Sequence, residues 1–314
     1  MTTMLPPSGV ARVVLGTSRL TDPLIAGSVY DEFFAAGGRS FDTARVYQGG
    51  ASEQAFGAWL RGSGLRDRVR IIGKGGHPDI DSWRPRSTGA EILADARASL
   101  RALGIDRFDE YLIHRDDELL TVGELLDRLR AVRSHGLTVR LGVSNWRADR
   151  YALALNEEDQ LSLSNHFGLA VPGGPAGLPG LASSFDPTTH RALARHALPL
   201  YAWSALAGGY FEGIEAAPGQ YSAHPASRRR REVVTRLAAE SGRTAESIVV
   251  RWLATAGDHV MPVISTTRPG RIGALLAAAD DVSLDPVVDR LIAECRRPDA
   301  ELPRLLLPDV PPSW

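Results

Sequence analysis

A single lysine stands in this sequence. Every other residue among its 36 Lys and Arg is arginine, and the exception is Lys74. A coding bias could turn lysine into arginine wherever either suffices. The surviving lysine then marks a place where a guanidinium does not serve, because an ammonium differs in reach, hydration and capacity to change its pKa. Lys74 closes the apolar run VRIIGK (69–74). Comparable residues close the neighbouring runs: Asp42 in RSFDT (39–43), with Tyr47 shortly after it, and His114 in FDEYLIH (108–114). A tyrosine, with a pKa of about 10, needs help to exchange a proton at neutral pH. A nearby cation stabilises the phenolate and lowers that pKa. Lys74 can supply the cation, Asp42 can hold it charged, and His114 can donate a hydrogen bond to a carbonyl oxygen. That is chemistry for adding hydride to C=O.

These residues need a scaffold that gathers strand ends. Strand candidates fall at 11–16, 39–43, 69–74, 108–114, 138–144, 160–166, 198–204 and 260–265. Helix candidates lie near 23–36, 52–62, 88–103, 120–135, 147–156, 187–197, 227–240, 245–256 and 269–279. In AEILADARASLRALG, Ile92, Leu93, Ala96, Leu100 and Leu103 share one helical face. Thr88 with Glu91 reads as a capping box and Gly104 as the stop. Mostly apolar strands, each followed by a helix, predict a parallel sheet covered by helices. The count fits one α/β fold, a single (β/α)8 TIM barrel over 1–314, with its active site at the C-terminal face. Strand one then presents Gly16, Thr17 and Ser18, and strand five Ser144 and Asn145.

Composition narrows the function. The chain has 314 residues, net charge -1 and 44% hydrophobic residues, so no long basic face for nucleic acid is expected. Cys295 is its only cysteine, which excludes an internal disulfide and any CxxC site. No GxGxxG follows the first strand and no GxxxxGK[ST] occurs. The histidines form no HxH or HExxH pair, so a metal hydrolase is the least favoured class. The absence of a long apolar run and of a secretory signal makes the cytoplasm the expected compartment, with no membrane partner. The Gly/Pro stretch 168–184 could serve as a lid, or as a plain surface loop. The apolar tail 302–314 is expected to pack on the barrel. The run Arg228–Arg231 reads as the solvated start of a helix.

Six blocks carry a resemblance: GGRSFDTARVYQGGASEQAFGAWL, VRIIGKGG, SLRALGIDRFDEYLIH, LGVSN, YAWSALAGGYF and VISTTRPGRI. In that order and spacing the chain resembles the aldo-keto reductase superfamily, a bacterial branch in particular. The resemblance implies a barrel with a nicotinamide cofactor across its mouth. The tetrad maps onto Asp42, Tyr47, Lys74 and His114, with Tyr47 the general acid. Ser144 and Asn145 would bond the nicotinamide carboxamide. A family glutamine on strand six falls at Ser164, with Asn165 beside it. Neighbours on a strand face opposite ways, and side-chain chemistry favours Asn165. Trp203 would stack on the nicotinamide, and Ser204, Ala205, Leu206, Ala207 and Gly208 would wrap the pyrophosphate. After strand eight the family's Lys-Ser pair is replaced by Ser265-Thr266, followed by Thr267, while the family's arginine remains as Arg271 and Arg268 is added, both able to bind a 2′-phosphate. NADPH is the expected cofactor, with NADH the alternative.

Many relatives follow the histidine with Trp-Pro, where this chain has Arg115-Asp116-Asp117. That adds charge near the mouth and suggests a more polar substrate, unless those charges face solvent. The expected substrate is a small carbonyl compound: an aldehyde, a ketone or a keto sugar. Two other classes compete. A cofactor-binding regulator of channel-subunit type would turn over little. A lyase or aldolase would use Lys74 as a Schiff-base amine, which needs a depressed lysine pKa. The oligomeric state is left open.

Overall fold

The structure is a computed structural model that describes residues 11–172, 187–215 and 218–295. The short apolar runs form eight strands: β1 (Val14–Gly16), β2 (Ser40–Asp42), β3 (Arg70–Gly75), β4 (Phe108–Ile113), β5 (Thr138–Ser144), β6 (Leu161–His166), β7 (Leu200–Trp203) and β8 (Val260–Ile264). They close into a parallel barrel in chain order, with β8 sealed to β1 through Val14↔Val263 and Leu15↔Ile264. The expected (β/α)8 architecture is present. The largest difference in a strand start is at β1, which begins at Val14 rather than at 11.

The helices are α1 (Pro23–Ala35), α2 (Ala51–Ser63), α3 (Gly89–Leu103), α4 (Val122–Ser134), α5 (Ala148–Glu157), α6 (Pro187–Arg195), α7 (Pro225–Ser241), α8 (Ala245–Thr255), α9 (Ile272–Asp280) and α10 (Asp285–Cys295). On α3, Thr88 and Glu91 make the reciprocal capping box, and Gly104 ends the helix at φ 69°, in the left-handed region that glycine tolerates. The sequence reading has no counterpart to α10. That helix lies beyond the last strand and buries Val288, Leu291 and Cys295. No helix among the described residues is long and apolar enough to cross a membrane. The lid expectation for 168–184 falls mostly outside the described residues, and the tail 302–314 lies wholly outside them.

The pleat decides which side chains reach the site. Outward residues such as Phe41, Ile71, Tyr111, Ile113 and Leu163 join the layer beneath the helices. Inward residues Val14, Ile72, Leu112, Tyr201 and Met261 form a separate small cluster inside the barrel. Two residues further along the same inward faces stand Gly16, Lys74 and His114. Below them the interior is polar. Arg70 donates to the Tyr201 hydroxyl at 2.7 Å, and that hydroxyl donates to Glu110 at 2.8 Å. Glu110 also pairs with Arg70 and accepts from Ser162.

One expectation is corrected here. The arginine run is not uniformly solvated, and α7 starts at Pro225. Arg228 is exposed, but Arg230 is fully buried and donates to the Leu169 carbonyl at 2.7 Å. Arg230 shares the inward helical stripe of Val233, Val234 and Leu237, which overrides the polarity of the run.

Candidate active site

The barrel's C-terminal face holds a cleft of about 480 Å³. Asp42, Tyr47, Lys74 and His114 all line it. Lys74 donates to Asp42 Oδ1 at 2.6 Å and to the Thr43 carbonyl at 3.2 Å. The Tyr47 hydroxyl donates weakly to the same Asp42 oxygen, at 3.4 Å. Lys74 Nζ lies 5.0 Å from the Tyr47 ring centre, and the His114 ring meets Tyr47 edge-on at 5.7 Å. Three adjacent strand ends thus bring an acid, an ammonium, a phenol and an imidazole together.

Burial disfavours the Lys74 ammonium, yet the Asp42 carboxylate, with the Tyr47 hydroxyl after it, outweighs burial and holds the pKa above the ordinary lysine value. A lysine held charged is a poor Schiff-base nucleophile, which argues against lyase chemistry. Burial pushes the Tyr47 hydroxyl up to about 12, against the downward pull of Lys74. The expectation that Lys74 brings this pKa down is therefore only half met: its charge acts in that direction, but desolvation exceeds it. The phenol is protonated at neutral pH, as a proton donor must be. Burial, with Lys74 next, holds the His114 imidazole well below the usual histidine range and so neutral. A neutral ring can donate one N–H without bringing a second full charge to the site.

Around this group the polar atoms are set out in order. Ser144 donates to the Ser164 carbonyl at 2.9 Å. Asn145, turned at φ 60°, donates through Nδ2 to the His114 carbonyl at 3.2 Å and to Ser144 Oγ at 3.0 Å. Asparagine tolerates that left-handed backbone better than most residues. Buried atoms of cleft residues without a hydrogen-bond partner among the described residues include His114 Nδ1, beside the reacting group, and Asn145 Oδ1, Ser164 Oγ and Trp203 Nε1 along the further wall. Buried polar atoms are seldom left so, and those of the further wall suit a bound amide.

The strand register corrects the preference for Asn165. Its side chain shares the outward parity of Leu163, and its amide clamps Trp146, accepting from the backbone N–H at 3.2 Å and donating to the carbonyl at 2.8 Å. Ser164 lines the cleft instead. Thr17 and Ala207 also fall outside the lining. Thr17 faces outward and bonds Thr43 Oγ1 at 3.0 Å, while Ala207 is buried and its N–H closes a turn onto the Ser204 carbonyl at 2.8 Å. Of the residues expected to hold a cofactor, Gly16, Ser18, Ser144, Asn145, Trp203, Ser204, Ala205, Leu206, Gly208, Ser265, Thr266, Thr267, Arg268 and Arg271 line the cleft.

Glu246 is a charged lining residue that the sequence reading misses. It accepts from Arg271 Nε at 3.0 Å and pairs with the same guanidinium a second time. In sequence it reads only as an acid in the first turn of a helix, where the helix dipole already explains it. Arg19 and Gly209 also join the lining.

Known proteins resemble the chain throughout. The family model for the Aldo/keto reductase family matches residues 12–296. A 6-dehydroglucose reductase of Agrobacterium fabrum is 27% identical over 84% of this chain and 86% of its own. The uncharacterized oxidoreductase YcsN of Bacillus subtilis is 26% identical over 76% and 77%. A crystal structure of an aldo-keto reductase from Klebsiella pneumoniae in complex with NADPH superposes with a TM-score of 0.69 at 20% identity, covering 96% of this chain and 98% of that one. A second Klebsiella pneumoniae structure, in complex with NADP and acetate, gives 0.67 at 22% identity, covering 93% and 94%. With a family match that runs from before the first strand to past the last described helix, the chain belongs to the aldo/keto reductase family.

Proposed function

We propose that this enzyme reduces the carbonyl group of a small molecule to an alcohol with NADPH. The observation that carries the reading is the convergence of Asp42, Tyr47, Lys74 and His114 on one cleft whose further wall leaves amide-binding atoms unpartnered. Ser164 Oγ and Asn145 Oδ1 would hold the carboxamide, Trp203 would cover the nicotinamide, and Arg268 and Arg271 would take the 2′-phosphate. When bound, NADPH supplies the hydride that reduces the carbonyl carbon and leaves as NADP+. His114 and Tyr47 direct hydrogen bonds at the carbonyl oxygen, where charge develops. As the C=O π pair moves to oxygen, Tyr47 gives up its hydroxyl proton there. The resulting phenolate is stabilised by Lys74, which Asp42 holds in place.

Tyr47→Phe tests the acid. General acid catalysis contributes roughly 10²–10⁴ in rate, so kcat should fall by that order while cofactor affinity changes little. A panel of aldehydes, ketones and keto sugars, followed by nicotinamide absorbance with each cofactor, tests the rest. A variant with undiminished kcat would remove Tyr47 from the proposed role.

A further inference from the structure

Where the cleft would take a 2′-phosphate, the chain already supplies anions of its own. Glu246 and Arg271 both line it there. Arg271 donates through Nε to Glu246 Oε2 at 3.0 Å, and its Nη2 pairs with Oε1. Two nitrogens on one edge of the guanidinium thus meet two oxygens of one carboxylate, the fork that a phosphate would otherwise use. Glu246 is 8% exposed and sits in the first turn of α8, where the helix dipole favours a negative charge. Thr244 fixes that turn by accepting from the Ser247 N–H at 3.1 Å.

The other anion-binding device nearby is filled in the same way. Helix α9 begins directly after Arg271, and a helix N-terminus is a ready site for a phosphate. Here Glu32, reaching over from α1, accepts from the Gly270 N–H at 2.6 Å and from the Gly273 N–H at 2.9 Å. No lysine is at hand, since Lys74, held by Asp42, is the only one in the chain. Arg268 is exposed, so water screens its charge. A carboxylate has about four lone-pair positions, and Arg271 takes two of those on Glu246. What remains can accept from a hydroxyl in the cleft.

We infer that Glu246 is a specificity residue for the cofactor: its carboxylate accepts a hydrogen bond from the 2′-hydroxyl of NADH, whereas the 2′-phosphate of NADPH must part it from Arg271 and then lie beside a like charge. The enzyme therefore works with both dinucleotides, and the phosphate adds far less affinity than an unoccupied arginine fork would give it. The inference rests on the reductase reading above and deepens it at the adenosine end of the cleft.

Nucleotide fragments test it without turnover. Calorimetric titration compares adenosine 2′,5′-bisphosphate, 5′-AMP and 2′-deoxy-5′-AMP, which differ only at the 2′ position. The wild-type protein should bind the bisphosphate within about tenfold of 5′-AMP. Glu246→Gln should bring the bisphosphate a further gain of about tenfold, the worth of one charged hydrogen bond, and leave 5′-AMP nearly unchanged, because the glutamine carbonyl still accepts. Glu246→Ala should in addition erase the wild-type preference for 5′-AMP over its deoxy analogue. A larger wild-type preference for the bisphosphate, or a ratio that stays the same in both variants, would overturn the inference, and the first of these needs no variant to fold. If the ratio responds as expected but no carbonyl compound is reduced with either dinucleotide, the reductase reading fails and the assignment of Glu246 stands. Reduction with NADPH alongside a ratio indifferent to Glu246 would leave the reductase reading and remove the assignment.

Discussion

Removing the charge of Lys74 separates stability from catalysis in a way the geometry makes quantitative. Its Nζ lies 2.6 Å from Asp42, and the two side chains are 3% and 5% exposed. Lys74→Met leaves a carboxylate buried without its counter-charge, which costs about 3–5 kcal/mol of folding stability. Asp42→Asn leaves the ammonium in the same position, at a similar cost. The double variant buries no net charge and should lose only about 0–2 kcal/mol, since a buried pair is often replaceable by neutral groups. The coupling energy between the two sites should then exceed about 3 kcal/mol. Urea unfolding followed by tryptophan fluorescence at neutral pH measures all three. Every variant should be nearly inactive, so the double variant should be folded, stable and without turnover. Additive losses, agreeing within about 0.5 kcal/mol, would refute the reasoning, because they would mean the two groups do not depend on each other. The pH dependence has a definite sign. Because Asp42 and Tyr47 raise the lysine pKa, the stabilisation from the ammonium is complete below pH 10.5 and is lost as pH climbs through the folded-state value.

Three further outcomes follow from the same contacts. Arg271→Ala should weaken NADPH far more than NADH, whereas Glu246→Gln should release the guanidinium and shift the preference toward NADPH by about tenfold, the scale of one charged hydrogen bond; equal changes for both cofactors would mean that Arg271 does not read the 2′-phosphate. Ser164→Ala should weaken cofactor binding in fluorescence titrations and leave unfolding unchanged, while Asn165→Ala should cost about 2–4 kcal/mol of stability by stripping both backbone groups of Trp146; the reverse pattern would put Asn165 in the cleft. Burial lowers the pKa of His114, and of His166 and His259 to about 4. The unfolded chain therefore binds protons that the folded one refuses, and stability should fall as pH drops below 6.5, by up to about 1.4 kcal/mol per unit for each histidine; a flat urea midpoint between pH 7 and 5 would contradict this.

Much of the scaffold could be read from the residues because the strands are short, mostly apolar runs, and several of them lead into a polar residue at the barrel rim. The span Thr138–Ser144 matches residue for residue. The tetrad was legible for the same reason: Asp42, Lys74 and His114 each end such a run. What escaped depends on facing. Ser164 and Asn165 are equally polar, and only the pairing of β5 with β6 shows which of them looks inward. Arg230 was hidden by its basic neighbours, although its spacing to Val233, Val234 and Leu237 carries the inward stripe. Glu246 gave no signal, because an acid opening a helix is common and its partner lies 25 residues away. The triplet at 115–117 could not be divided into inward and outward charges without Arg150, which binds Asp116 through both carboxylate oxygens, and Ser87, which donates to Asp117, while Arg115 lines the cleft.

The polar floor of the barrel has a consequence for how the chain finds its frame. Arg70 and Glu110 sit four residues before Lys74 and His114 on the same two strands. Were β4 to slip by one residue against β3, Glu110 would swing into the greasy outer layer and abandon Arg70, Ser162 and Tyr201. The same slip would turn His114 away from the mouth. A misthreaded barrel is thus penalised at its base for the error that disables its top, and the molecules that survive folding are the ones equipped to react.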